Sequence, residues 1–346
     1  MAASRFFAWQ IDFAGLRLRP MSESRTSPST TVLSVGNFDG VHNGHQSLVR
    51  RGRELAGPDG RVLLLTFYPH PRNILYPDRE PVLQLTEFGT RRRLLCQAGA
   101  DEVLLLQPTS DLLGRSPQEF VEFLLADYGM TTIVEGPDFK FGKGRSGTVA
   151  DLRTLGSRLG FDVAIMDKVE CSLVDQTIVP VSSTLIRWLI RHGRVKDASR
   201  LLGRTYRVCG KVVRGDQRGR TIGIPTANLK TEWLVPTGGV YAGRARRRIN
   251  GAAEHESDDW YPAAVNIGTR PTFDNCEDVV CEAHLIGYDG PVDDYGWMIE
   301  IEFIAFLRSE MRFGSSDEVA CQIRRDIETA GRFVEYEPLE LRTAKQ

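Results

Sequence analysis

His42 and His45 flank Gly44 in the stretch GNFDGVHNGH at 36–45, directly after the apolar run Val32, Leu33 and Val35. Apolar spacing resumes at helical period after His45, so the pair stands where a strand-to-helix loop enters the helix. Free backbone N–H groups and the positive end of the helix dipole favour an anion at such a junction. Imidazoles can donate to phosphoryl oxygens, and a glycine between them lets a polyphosphate approach the backbone. Gly36, Asn37, Phe38, Asp39 and Gly44 of the same loop are therefore candidate nucleotide-binding residues, with His42 and His45 as candidate catalytic ones. The histidines could instead cap the helix or bind a metal. Zinc would need further ligands at metal spacing, and no nearby cysteine or third histidine supplies one.

Five further places could do chemistry. His70 sits between Pro69 and Pro71 at the end of the apolar run 61–67, and a strand's carboxyl end is where open α/β sheets bind ligands; it could also be a plain turn histidine. The loop 136–147 (GPDFKFGKGRSG) carries glycines, two lysines and an arginine able to wrap phosphates, with Phe139 and Phe141 as anchors, or it is a surface loop. Ser182, Ser183, Thr184 and Arg187 bring hydroxyls and a guanidinium to another helix start. In the second half, GKVVRGDQRGRTIGIPTAN at 210–228 alternates glycines with arginines, and Thr226 and Asn228 offer oxygen ligands suited to magnesium. No GKS or GKT follows the glycines, so this is not a Walker loop, and a glycine-rich β-turn is the other reading. Glu282, in the strand-like CEAHL at 281–285, is a carboxylate that could accept a hydroxyl proton, or an ordinary strand glutamate.

The elements that must position these groups fall into two textures. From 31 to about 200, apolar strands at 61–67, 102–107, 131–135 and 161–167 alternate with helices, among them 85–99 and a helix from Ser116 to about Asp127; that alternation predicts a doubly wound parallel sheet. From Tyr206 the runs are short, β-like and separated by glycine turns, predicting an antiparallel barrel or sandwich. Asp317 to Phe333 reads as an amphipathic last helix with Val319, Ile323, Ile327 and Ala330 on one face. The expected organisation is a flexible leader at 1–30, an α/β domain at 31–200 and a β domain at 201–340, each with its own core. Residues 250–260, rich in acids around His255, read as a hairpin tip in water.

A chain of 346 residues has room for both cores. A formal net charge of −1 offers no general attraction to nucleic acid or an anionic membrane, so neither partner is expected. The arginine clusters at 51–53, 91–93 and 246–248 read as solvated surface. Six cysteines without CxxC spacing point to reduced thiols and a cytoplasmic location. No apolar run is long enough to span a bilayer.

GNFDGVHNGH resembles the His-x-Gly-His signature of the nucleotidylyltransferase superfamily. With TFYPHP at 66–71, DFKFGKGRSG at 138–147 and SSTLIR at 182–187, the first half is similar to the FMN adenylyltransferase module of bacterial bifunctional riboflavin kinase/FAD synthetases. PTAN at 225–228, VYAG at 240–243, AVNIGTRPTF at 264–273, CEAHL and LRSEMRFGS at 307–315 resemble the riboflavin kinase module. The resemblance implies a Rossmann-like domain followed by a kinase barrel. It also implies two ATP-dependent reactions with Mg2+: riboflavin to FMN, then FMN to FAD with release of pyrophosphate. His42 and His45 would meet the ATP phosphates, with His70, Asp138, Ser183, Thr184, Arg187, Gly215, Gly219 and Gly223 also at nucleotide. Phe67, Pro69, Asp138, Phe139 and Arg312 would lie at flavin, Thr226 and Asn228 at metal, and Glu282 would be the kinase base. Two positions depart from the pattern: Glu135 stands where an apolar residue usually precedes the loop, and Asp294 precedes Tyr295 where a leucine is usual. Alternatives from other classes are an adenylyltransferase for another phosphorylated acceptor with a non-catalytic barrel, and a flavin-binding protein without turnover. Oligomeric state is not legible.

Overall fold

The computed structural model describes residues 30–215, 219, 223–248, 260–271, 277–291 and 294–336. The leader over 1–29, the acidic tip at 250–259, loop residues 216–218 and 220–222, and Thr272 and Phe273 of the AVNIGTRPTF stretch lie outside the described residues.

Val-, Leu- and Ile-rich runs form a five-stranded parallel sheet. In chain order its parts are β1 (Thr31–Gly36), α1 (Asn43–Ala56), β2 (Arg61–Phe67), α2 (Pro71–Leu75), α3 (Phe88–Gln97), β3 (Glu102–Leu106), α4 (Ser110–Gly114), α5 (Pro117–Tyr128), β4 (Thr132–Glu135), α6 (Val149–Leu159) and β5 (Asp162–Ile165). The strand order is β3-β2-β1-β4-β5, all neighbours parallel. Alternate residues supply two cores. Leu33, Val35, Leu63, Leu65 and Ile133 pack on α5 and α6, while Val32, Val62, Leu64 and Val134 pack on α1 and α3. A strand buried on both faces has to be apolar at successive positions, which is why these runs lack a polar phase. The order reverses between β1 and β4, so the crevice at their carboxyl ends is the topological switch point.

At that point the two strands part. Their pairing covers only Val32–Thr132 and Leu33–Ile133. Beyond it Glu135 reaches across, and its Oε1 accepts from the Val35 N–H at 2.7 Å and the Ser34 hydroxyl at 3.1 Å. Burial without a cation pushes this carboxyl up to about 8. The unusual glutamate thus satisfies a backbone donor that the opening crevice would otherwise leave unpaired.

A hairpin, β6 (Glu170–Ser172) and β7 (Ile178–Pro180), leads to α7 (Ser183–Arg191) and α8 (Val195–Leu202). The chain then forms a closed six-stranded barrel from β8 (Tyr206–Val213), β9 (Ala227–Lys230), β10 (Gly239–Arg248), β11 (Tyr261–Pro271), β12 (Glu277–Leu285) and β13 (Met298–Arg308), in the order β10-β11-β12-β9-β8-β13. Helix α9 (Ser316–Tyr336) lies outside it, its Ala330 buried against Ala242, Ile304 and Ala305.

Each half has apolar packing of its own. The two also share a cluster: Leu85, Leu173, Ile186, Leu189, Ile190, Val195, Ala198, Leu201 and Leu202 pack with the barrel residues Tyr206, Tyr241, Val265, Ile301 and Phe303. One expectation needs correction: the arginine clusters are not simply solvated. Arg91 and Arg246 are 1% and 2% exposed, Arg246 pairs with buried Glu300 at 2.6 Å, and Arg248 bonds Glu87 of the first half at 2.8 Å. Arginine tolerates such burial because its planar fork finds several acceptors at once.

Candidate functional sites

The loop between β1 and α1 is built around a buried carboxylate. Asp39 is 1% exposed and accepts from the backbone N–H groups of Leu85 and Thr86 at 3.0 and 3.2 Å, from the Thr86 hydroxyl, from Arg91 at 3.3 Å, and from Arg187. The expectation that Asp39 contacts nucleotide directly is corrected: its lone pairs are taken by protein donors, and it anchors Arg187. Phe38, 3% exposed, is likewise core, its ring beneath Gly36. Ser183 donates its hydroxyl to the Asp39 carbonyl at 2.8 Å, so α7 is joined to the same loop. Ser182 caps α7, and Thr184 on its first turn is exposed.

His42 is both cap and candidate ligand. Its Nδ1 accepts from the His45 N–H at 3.3 Å, which places the ring proton on Nε2 and leaves that N–H as a donor. The His45 ring stacks on it at 3.6 Å and 17°, and the His42 ring fills the space beside Gly44 that a Cβ would enter. Burial, then the Arg204 charge, lowers His42 to about 4; burial, then His42 itself, holds His45 well below its ordinary value. Both rings are neutral donors at neutral pH. His45 Nδ1 is buried and has no protein partner.

His70 belongs to the same place. It caps α2 by accepting from the Arg72 N–H at 3.2 Å, and its Nε2 meets the Asn37 amide at 3.1 Å. Burial, then Arg187, lowers it to about 4. The structure therefore brings Asn37, His42, His45, His70, Ser183 and Arg187 to the carboxyl ends of β1 and β2. It does not draw in Asp138, which is exposed and pairs with Lys168 at 2.7 Å. Phe139 stacks on Phe141 at 5.5 Å and, with Phe67, packs against the sheet's lower core; Pro69 follows a cis peptide bond.

The second site lies on the outer wall of the barrel. Strand alternation points Cys281, Ala283, Val265 and Ile267 inward, all at most 2% exposed. Glu282 then faces outward, in register with Asn266 on one side and Asn228 on the other. These groups, with Thr226, His284, Gly219, Arg308 and Glu310, line a cavity of about 730 Å³ closed by Val319, Ile323 and Ile327 of α9. The expected apolar face of α9 is thus split: its far end seals the barrel and its near end roofs a pocket. Arg308 holds the roof, its Nε and a terminal nitrogen meeting the Asp326 carboxylate at 3.0 and 2.6 Å.

The glycines of the second site serve close approach. A Cβ on Gly215 would lie 2.4 Å from the Asn228 amide, one on Gly219 would lie 2.2 Å from the Ile224 carbonyl, and Gly223 has φ +74°. Asn228 is buried, Thr226 exposed, and His284 meets the Pro225 carbonyl at 2.8 Å, tying the PTAN turn to β12. Arg312 is exposed on the segment after β13. Among the described residues no group of three His, Cys, Asp or Glu could hold a metal, and no helix is long and apolar enough to cross a membrane.

Sequence reasoning missed Arg91, Arg204, Asn266, His284, Arg308 and Asp326. Arg91 and Arg204 carry no local signal, since an arginine on a polar helix face or in a turn reads as surface. Asn266 and His284 could have been found by strand alternation once Glu282 was placed.

The sequence model of the FAD synthetase family matches residues 24–184, and that of riboflavin kinase matches residues 202–334. A bifunctional riboflavin kinase/FMN adenylyltransferase of Listeria monocytogenes is 32% identical over 89% of this chain and 93% of its own, and one of Escherichia coli K12 is 35% identical over 87% and 92%. A Streptococcus pneumoniae crystal structure titled as a macrolide-efflux protein superposes with a TM-score of 0.75 at 30% identity, covering 88% of this chain and 95% of that one.

Proposed function

The chain belongs to the bifunctional riboflavin kinase/FMN adenylyltransferase family, and from that premise we propose how its two sites divide the work. It phosphorylates riboflavin to FMN and adenylylates FMN to FAD, using ATP in both steps. The observation that carries the division is the pair of unrelated polar clusters, one at the switch point of the parallel sheet and one under α9.

Adenylyl transfer needs no protein nucleophile, because an FMN phosphate oxygen attacks the α-phosphorus of ATP and pyrophosphate leaves. The protein has to align two anions and offset the charge that grows on the leaving oxygens. Neutral His42 and His45 donate N–H groups to the ATP phosphates at the start of α1, and Arg187 supplies the fixed positive charge. Asp39 holds that guanidinium in place. Their buried, desolvated setting strengthens each donor and excludes a competing water. Gly36, Asn37 and His70 shape the neighbouring nucleotide contact, with Ser183 and Thr184 at the α7 start. Phe67, Pro69, Phe139 and Asp138 belong to the flavin side.

In the kinase step Glu282 accepts the proton of the riboflavin 5′-hydroxyl as that oxygen attacks the γ-phosphorus and ADP leaves. Gly215, Gly219 and Gly223 give the phosphates room against the backbone, and Arg312, on the segment between β13 and α9, belongs to the flavin side. Thr226 and Asn228 fit magnesium, since the donors are all oxygens and Gly215 leaves no Cβ against the Asn228 amide. When bound there with ATP, the ion would offset phosphate charge.

Incubation with riboflavin, ATP and magnesium, with chromatography of the products, should yield FMN and then FAD. Omission of the metal should halt both steps. FMN made without FAD would refute the adenylyl-site assignment, and unchanged riboflavin the kinase assignment.

A further inference from the structure

The turn GVHNGH is strained, and its restraint comes from the wrong half of the chain. Phe38 and Val41 have φ of +45° and +43°, a region that side chains other than glycine rarely adopt and a β-branched residue least of all. Such geometry persists only where surrounding contacts over-determine it. Arg204 supplies those contacts from the short link between α8 and β8. One terminal nitrogen donates to the Gly40 carbonyl at 2.6 Å, and the other to the Val41 and Leu202 carbonyls at 3.2 and 3.3 Å. Gln46 ties Val41 to Leu202 again, at 3.0 Å each, and Asn43 donates to the Arg200 carbonyl at 2.9 Å. The approach is close enough that a Cβ on Gly203 would lie 2.4 Å from the Asn43 side-chain oxygen.

We propose that Arg204, which lies within the stretch matching riboflavin kinase, is a positioning residue of the adenylyl-transfer site, clamping the strained turn that aims His42 and His45 at ATP phosphate. The proposal rests on the assignment of those histidines to phosphate made above. Two effects follow from one side chain. Its fork fixes the Gly40 and Val41 carbonyls, in the peptides on either side of the strained Val41 Cα, which sets where the His42 cap begins. Its charge also acts on His42, which His45, Arg187 and Asp39 face as well; Arg204 and Arg187 favour the neutral ring and Asp39 the protonated one, with Arg204 the largest of these charges. A protonated His42 Nδ1 could not accept from the His45 N–H, so the clamp protects the cap electrostatically too.

The experiment uses the full chain and three variants. Arg204→Met should lower kcat for FAD formation from supplied FMN roughly 10- to 100-fold, the scale of a small misplacement of reacting groups. Riboflavin phosphorylation in the same preparation should stay within about twofold of wild type, which also reports that the barrel is folded. The His42 imidazole, followed by NMR titration, should move up toward 6.5 in Arg204→Met. Arg204→Lys should leave that titration low but still lose rate, because a lysine keeps the charge without the fork; it decides the matter if the methionine variant does not fold. Normal FAD formation with an unmoved His42 titration, or equal loss of both activities, would overturn the clamp. His42→Ala runs beside them: if it leaves FAD formation intact, the histidine assignment itself fails, whereas an impaired His42→Ala with a normal Arg204→Met removes the clamp alone.

Discussion

The two halves solve the same problem, holding ATP phosphate beside a flavin, from opposite ends of strand geometry. In the parallel sheet both faces are buried under helices, so polar chemistry is confined to the strand ends and the helix starts beyond them. Its groups have to be held by a buried scaffold, the Asp39, Arg91 and Arg187 cluster, because a loop has no register of its own. In the barrel one face of each strand fills the interior and the other is available. Glu282, Asn266 and Asn228 are placed by pairing alone, and α9 supplies only the roof. The loop-built site depends on distant residues, whereas the strand-built site depends on its neighbours in the ladder.

That contrast can be broken first at the barrel. Glu282→Gln keeps size and ladder hydrogen bonds but removes the proposed base, and should slow riboflavin phosphorylation roughly 10²- to 10⁴-fold with adenylylation of supplied FMN unchanged. A normal phosphorylation rate with an unchanged melt would make the carboxylate structural. Next in size is Asp39→Asn, which leaves two guanidinium groups without their counter-charge. Breaking a buried pair from one side should cost on the order of 3–5 kcal/mol in denaturant melts and reduce FAD formation far more than FMN formation. An equal fall in both activities would show that the scaffold serves both sites.

His45→Ala tests the loop site at its proposed phosphate donor. Loss of one transition-state donor should cost about 2–4 kcal/mol in FAD formation, with kinase turnover retained and a wild-type melt. The smallest effect concerns Glu135. Its folded carboxyl titrates near 8 and its unfolded one near 4.5, so the folded state holds the extra proton between these values. Stability from this group is complete below about 4.5 and is lost as pH rises through 8. Glu135→Gln keeps an acceptor for the Val35 N–H and should flatten that decline. His42 and His70 act in the opposite sense, lowered from 6.5 to about 4, so stability falls as pH drops through that window in both proteins. An identical alkaline decline in the Gln variant would show that Glu135 is ionised in the fold.

Much of this was legible in residues alone. Continuous apolar runs alternating with helices dictated a parallel sheet, glycine-punctuated β runs dictated the barrel, and Ser116 and Ser182 marked their helix starts because capping is a local matter of one side chain and the next turn. The histidine pair and Glu282 could be singled out as candidates by residue type and position, and the PTAN turn by its resemblance to the riboflavin kinase motif. Tertiary structure decided what spacing cannot encode. Asp39 became an anchor only when Arg91 and Arg187 arrived from 52 and 148 positions away. Arg91 turned inward because Gln84, Thr66 and the Asn37 carbonyl offered acceptors inside. The packing across residue 200 was not legible, because α7 and α8, polar enough on one face to read as the end of the first half, turn their apolar faces into the barrel's cluster. Local chemistry is written in neighbours along the chain, while burial of a charge or sharing of a core depends on what the fold brings against it.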